Sequence, residues 1–562
     1  MDLRLKPVYR LLAAALLWFA ATCAASSAPL PAHAAIASAH PLATRAGLDI
    51  LAQGGNAFDA AIAVSSVLGV VEPASSGVGG GGFYLLHVAS DGHNVMVDGR
   101  ETAPAAATRD MYLGADGKPR PKASTDGPLS AAIPGEPAAW AWLAQKYGRL
   151  PLAASLAPAI KIARDGFPLY ERLANAIRVK KAELANSPDA AAAFLLEGEA
   201  PPIGAVIRQA ALARTLELLA TQGADGFYKG PFAEKLVAAV KRDGGIWSNA
   251  DLAAYRILER APITLHYRDA TLVMAAPPSS GGIVIGEALR ILEGYDLGAL
   301  DTATRRHLMI ESLRHAYRDR AEYLGDPDFV KIPVEQLLSP YYAAGQRTSI
   351  RLDRATPSET LRPVFTGDES PSTTHFSVLD REGNRVGATV SINLFFGGMY
   401  MAPGTGVFLN DTMDDFSVAA GAPNAFGLVG ADANSIAPGK RSLSSMTPTF
   451  VDTDRGALII GSPGGSTIIS NVLYGILNWL DGRSAAQIVG MPRIHHQYLP
   501  DSVVYEAGAL TADEKAQLEK RGHHLRESNR QWGNTQVVTW DFASGKVEAA
   551  SDPRGFGAGL VY

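Results

Sequence analysis

Cysteine is almost missing from this chain: Cys23 is the only one in 562 residues. It falls inside an N-terminal stretch that reads as a cleavable leader, so the mature chain has no thiol. That removes disulfides, cysteine-ligated metals and cysteine nucleophiles, and leaves stability to packing. A long basic run is also missing. With 51 Lys+Arg against 56 Asp+Glu and a formal net charge of -5, the chain offers no phosphate-tracking surface, and nucleic acid is not an expected partner. The apolar N-terminal stretch, residues 11–21, is shorter than the roughly 20 residues that cross a bilayer. It follows Arg4, Lys6 and Arg10 and leads into small residues ending Ala32-His33-Ala34. That is the pattern of a secretory signal, assigned to residues 1–34. Ala20-Ala21-Thr22 before Cys23 makes a poor lipoprotein signal, so no stable membrane anchor is expected and the protein reads as exported, periplasmic or secreted. No repeat period is evident.

What is present is a composition of 47% hydrophobic and 19% charged residues, enough to bury a large core in one compact unit. Residues 43–53 and 57–71 have helical apolar spacing, separated by Gly54-Gly55-Asn56, where Asn56 can cap the second helix. The glycine run 77–82 then leads into strand-like segments 83–89 and 94–98. Residues 138–324 read as mainly helical, and 351–372 as an exposed polar loop. Segments 373–380 and 385–392 alternate as a hairpin around Arg381-Glu382-Gly383-Asn384. Further strands are expected at 449–451, 457–461, 502–506, 536–542 and 546–550, with a helix over 467–480. Strands in both halves with helices between them predict packed sheets covered by helices.

The chemistry concentrates where the loop meets the hairpin, at Thr373-Thr374-His375-Phe376-Ser377. Threonine is a weak nucleophile. If the bond before Thr373 breaks, however, the new α-amine reaches its own hydroxyl and, with an unperturbed pKa of about 7.7–8.0, can act as its base. Before scission the same hydroxyl can attack the preceding carbonyl. From this motif alone an ordinary strand threonine is the better reading. Gly79–Gly82 lacks the lysine and serine or threonine of a phosphate loop, so tight packing beside a helix is its expected role. No histidine or carboxylate spacing suggests a metal site, and neither a metal nor an organic cofactor is expected.

The context of Thr373 resembles the γ-glutamyltransferases over essentially the whole mature chain. The motifs that carry the resemblance occur in order: Gly54-Gly55-Asn56-Ala57, the glycine run, Asp98-Gly99-Arg100-Glu101-Thr102-Ala103-Pro104, Ile133-Pro134-Gly135, Thr373-Thr374-His375-Phe376-Ser377 and Asn393. Beyond these come Leu409-Asn410-Asp411-Thr412-Met413-Asp414-Asp415-Phe416-Ser417, Lys440-Arg441-Ser442-Leu443-Ser444-Ser445-Met446-Thr447-Pro448-Thr449 and Gly461-Ser462-Pro463-Gly464-Gly465-Ser466.

The resemblance implies an α/β fold, the N-terminal-nucleophile αββα sandwich, made from one self-cleaved precursor. Residues 35–372 would form the large subunit and 373–562 the small one. It implies γ-glutamyl donors such as glutathione, with water, amino acids or peptides as acceptors. Thr373 would be the nucleophile and Ser391, in place of a family threonine, its hydroxyl partner. Arg100, Ser444 and Ser445 would hold the donor's α-carboxylate, Asp415 and Asn393 its α-ammonium, and the N–H groups of Gly464 and Gly465 the oxyanion. His375 is expected to be structural. Thr412 stands where the family usually has glutamine or glutamate reaching the ammonium, and is too short to copy that contact. Residues 418–441 match a lid segment in which Phe426 replaces a tyrosine, which predicts a looser lid. The competing readings are a glutaryl (cephalosporin-type) acylase of the same fold and a processed but inactive binding protein.

Overall fold

The computed structural model describes residues 30–361, 373–419 and 422–562. The leader up to residue 29, Cys23 with it, and residues 362–372 of the loop before Thr373 lie outside the described residues. From its first strand, β1 (Ala35–Ser38), the chain enters the expected helical hairpin, α1 (Pro41–Ala52) and α2 (Ala57–Val71). Asn56 caps α2: its side chain accepts the N–H groups of Phe58 at 3.0 Å and Asp59 at 3.1 Å, while the Asp59 carboxylate takes the Asn56 N–H at 3.0 Å. Such a capping box is worth about 1 kcal/mol.

β2 (Gly81–Val88) and β3 (His93–Gly99) follow as expected. The segment 138–324 is mainly helical, as expected, but it also carries strands, among them β4 (Leu258–Arg260), β5 (Ile263–Tyr267) and β6 (Ala270–Met274). They are too short for alternation to stand out between long helices, and their partners lie far off in sequence. Then come α3 (Gly281–Leu292), α4 (Thr302–Tyr323), β7 (Thr374–Leu379), β8 (Arg385–Ser391), β9 (Thr449–Thr453), β10 (Gly456–Gly461) and α5 (Thr467–Leu480). β11 (Gln536–Asp541), β12 (Val547–Ser551) and β13 (Ala558–Val561) close the chain.

Two antiparallel sheets result, ordered β13-β1-β7-β8-β2-β3-β4 and β12-β11-β10-β9-β6-β5. Phe376 and Val378 on β7 and Val386, Ala388 and Val390 on β8 pack with the α1–α2 hairpin, whereas Leu379, Phe450 and Ile459 pack between the sheets. α3, α4 and α5 cover the second sheet. The layering is αββα. β7 and β8, from beyond residue 372, lie between β1 and β2, and β6 pairs with β9. Both sheets therefore draw hydrogen-bonded strands from either side of the Ser372–Thr373 bond.

Two further expectations change. Gly80 meets a helix only at its first turn, where its carbonyl accepts the Glu136 N–H at 3.0 Å; a Cβ on Gly80 or Gly79 would run into the carbonyl of Ser391 or Phe408, so the glycines chiefly let one backbone lie against another. The loop 351–372 is not wholly exposed. Ser358 is buried, its N–H bonded to Asp501 at 2.8 Å and its hydroxyl to Arg314.

Candidate active site

The hairpin register sets the site. Thr374 pairs with Val390, which brings Thr373 beside Ser391, and their hydroxyls lie 3.2 Å apart. Ser391 Oγ also accepts the Asn393 N–H at 2.9 Å. Asn393 sits at φ 77°, a left-handed conformation that asparagine tolerates better than most residues. Its side-chain amide donates to the Asp411 carbonyl at 3.2 Å.

His375 points between the sheets. It bonds Thr389 at 2.8 Å and Ser377 at 3.2 Å, and burial pulls its pKa down to about 3. A neutral imidazole engaged in this way lines neither cavity described below, which agrees with a structural role.

Thr373 lines two cavities. The inner one, about 20 Å³, brings together Arg100, Ser391, Asn393, Asp415, Ser444, Ser445 and Gly465. The outer one, about 250 Å³, adds Gly464, Phe395 and Trp532. Gly464 and Gly465 have φ values of 134° and 56°, which favour glycine. Their N–H groups find no acceptor among the described residues. Standing just ahead of α5, they form a donor pair suited to an anion.

Arg100 and Asp415, expected at opposite ends of a zwitterion, are bonded directly to each other. Arg100 also reaches the Ser442 hydroxyl at 3.0 Å and Glu101 at 3.4 Å. Burial pushes Asp415 above the ordinary carboxylate range, against the pull of Arg100. A zwitterionic ligand here would exchange one buried ion pair for two, so neither charge would be left unpaired.

Thr412 is corrected. It is fully buried and lines neither cavity; its hydroxyl donates to Glu101 at 3.0 Å, so it stands behind Arg100 rather than short of a ligand. Thr412→Val should therefore lower the urea midpoint by an amount equivalent to about 1–2 kcal/mol. It should leave the preference between amino-bearing and amino-free acyl donors unchanged; an altered preference would restore position 412 to the ligand's ammonium.

From the segment expected to form a lid, Phe426 and Leu428 line the inner cavity. Asn424 donates to Asp415 at 3.1 Å, and Phe426, whose backbone carbonyl accepts from Gln497 at 3.3 Å, faces Gly465 so closely that a Cβ there would enter its ring. The Phe426 contact is apolar where a tyrosine would add a hydroxyl. Phe426→Tyr should tighten it, slowing large donors more than small ones; an unchanged size preference would refute that role.

Sequence reasoning missed Arg320 in the inner cavity and Arg172, Phe395, Arg530 and Trp532 in the outer one. It also passed over the i,i+4 pair His307 and Glu311, which with His523 forms a group of metal-ligand dimensions. These side chains are already engaged: His307 Nδ1 lies 2.7 Å from His523 Nε2, and Glu311 meets Arg314 at 3.2 Å. None of the three lines either cavity.

Comparison with known proteins adds four findings. The family model for gamma-glutamyltranspeptidase matches residues 43–562. The chain is 42% identical over 527 residues to the glutathione hydrolase proenzyme of Escherichia coli (strain K12), covering 92% of this chain and 90% of that one. It is 44% identical over 508 residues to the glutathione hydrolase proenzyme of Pseudomonas sp. (strain A14), covering 89% and 88%. Among solved structures it resembles the cephalosporin acylase from Bacillus halodurans, with a TM-score of 0.82 and 29% identity over 94% of this chain and 96% of that one.

Proposed function

This chain belongs to the γ-glutamyltranspeptidase family, and on that premise we propose that Thr373, freed by scission of the Ser372–Thr373 bond, carries the γ-glutamyl group as an ester. The enzyme is a γ-glutamyl hydrolase and transpeptidase of the N-terminal-nucleophile fold. Its residue roles are proposals. The observation that carries them is the position of Thr373 at the junction of a charged inner cavity and a roomier outer one.

In the precursor, the Thr373 hydroxyl attacks the Ser372 carbonyl, and water hydrolyses the resulting ester. This leaves residues 35–372 and a small subunit starting at Thr373, held together by shared sheets. In the mature enzyme the α-amine of Thr373 takes the hydroxyl proton as Oγ1 attacks the γ-carbonyl. Ser391 orients that hydroxyl. The oxyanion is received by the N–H groups of Gly464 and Gly465, and such donors are worth roughly 10²- to 10³-fold each. The same amine then protonates the leaving nitrogen, which departs through the outer cavity. Water or an acceptor amine enters by that route and releases the γ-glutamyl group.

The inner cavity sets selectivity: Arg100, Ser444 and Ser445 face the α-carboxylate, Asp415 and Asn393 the α-ammonium. Glutathione is the proposed donor, and the leader supports export. No helix among the described residues is long and apolar enough to cross a membrane. A glutaryl acylase would have no use for Asp415, because its acyl chain lacks an amino group. Parallel assays with γ-glutamyl and glutaryl anilides test this reading: the γ-glutamyl anilide should be cleaved far faster, and equal rates would refute it.

A further inference from the structure

One charge in the inner cavity has no use in the mechanism above. Arg320, on α4, is buried and lines that cavity. Its Nε donates to the Ser280 hydroxyl at 2.9 Å and its Nη2 to the Ser445 hydroxyl at 3.5 Å. Among the described residues its other N–H groups find no acceptor, and no carboxylate pairs with it. Burial lowers its pKa only to about 10, so it remains a cation at neutral pH. Arg100, by contrast, already meets Asp415 and Glu101. Arg320 feels Asp415 through space but, among the described residues, has no carboxylate bonded to it. A buried guanidinium whose hydrogen bonds all go to hydroxyls, and which feels Asp415 only through space, gains from an anion brought into contact with it.

The bonds around Arg320 also have a direction. Ser445 Oγ accepts from the guanidinium, so its own proton is free to point elsewhere in the cavity. Ser280 accepts from Nε and passes its hydroxyl proton to the Ser444 carbonyl at 2.7 Å, which also takes the Ser280 N–H at 2.7 Å. Arg320 thus grips the Ser444–Ser445 turn at two points.

We infer that Arg320 is a positioning residue that sets specificity for the donor's α-carboxylate: it turns the Ser445 hydroxyl toward that carboxylate, fixes the Ser444–Ser445 turn through Ser280, and supplies the charge the carboxylate neutralises. This rests on the γ-glutamyl reading of the site.

The test compares γ-glutamyl anilide with 4-aminobutyryl anilide, the same donor without its α-carboxylate, on processed enzyme. Wild type should strongly prefer the first. Arg320→Gln should raise KM for γ-glutamyl anilide by about tenfold or more, the scale of one hydrogen bond to a charged group. Its kcat should change less than about threefold, and kcat/KM for the 4-aminobutyryl donor should hold within a similar factor. Arg320→Lys, which keeps the charge, should recover part of the preference. Equal losses on both donors, or an unchanged KM, would overturn the inference. Should Arg320→Gln fail to fold or process, Ser280→Ala decides: a KM increase confined to the γ-glutamyl donor supports the relay, and no selective increase overturns it. A wild type indifferent to the α-carboxylate would refute the functional reading itself, a result distinct from a discriminating wild type that Arg320 variants leave unchanged.

Discussion

Purified Thr373→Ala should run as one chain on a denaturing gel and leave γ-glutamyl anilide intact, with activity reduced by at least about 10³-fold. One hydroxyl is asked to do two jobs, scission of the Ser372–Thr373 bond and acyl transfer, so its loss removes both. The substitution should not disturb the fold. Thr373 precedes β7 rather than lying within it, and Ser391 keeps its bond from the Asn393 N–H at 2.9 Å. Thr373→Ser, which retains a hydroxyl, should still process, though more slowly. Two chains from Thr373→Ala, split at the same bond, would show that another group performs the scission.

Arg100→Lys should process normally but raise KM for γ-glutamyl anilide by about 30-fold, equivalent to about 2 kcal/mol. Arg100 serves Asp415 and the Ser442 hydroxyl from Nη2 and Glu101 from Nη1. An ammonium keeps the charge without the planar fork, so it cannot hold those partners and a carboxylate together. Because the contact lies in binding rather than at the reacting carbonyl, kcat should fall much less than affinity. The steady-state constants decide it, and an unchanged KM would remove Arg100 from carboxylate recognition.

What the sequence made legible was local. Asn56 as a cap and the paired glycines before α5 depend on residues a few positions apart, and the hairpin that sets Thr373 beside Ser391 spans only 18. Their chemistry survives without knowledge of the fold. β4, β5 and β6 did not stand out because strands of three to five residues carry little periodic signal, and their stability comes from distant partners such as β3 and β9. Arg320 was hidden for a related reason. It lies on a helix that also carries Arg314 and Arg318, and only packing against Ser280 and Ser445 separates a cavity residue from the rest of that charged pattern. Thr412 was misread because the residue it serves, Glu101, is remote in sequence. Arg100 and Asp415 were both identified, but that the two pair with each other follows from the fold alone.

The central claim is a γ-glutamyl ester on Thr373. Its most direct test is to quench the wild-type enzyme during turnover of an equimolar mixture of γ-glutamyl and glutaryl anilides, and then to map the small subunit by mass spectrometry. The account predicts an N-terminal peptide that begins at Thr373 and carries a γ-glutamyl group on that residue. A glutaryl adduct in its place, an adduct on another residue, or a peptide that does not begin at Thr373 would contradict it.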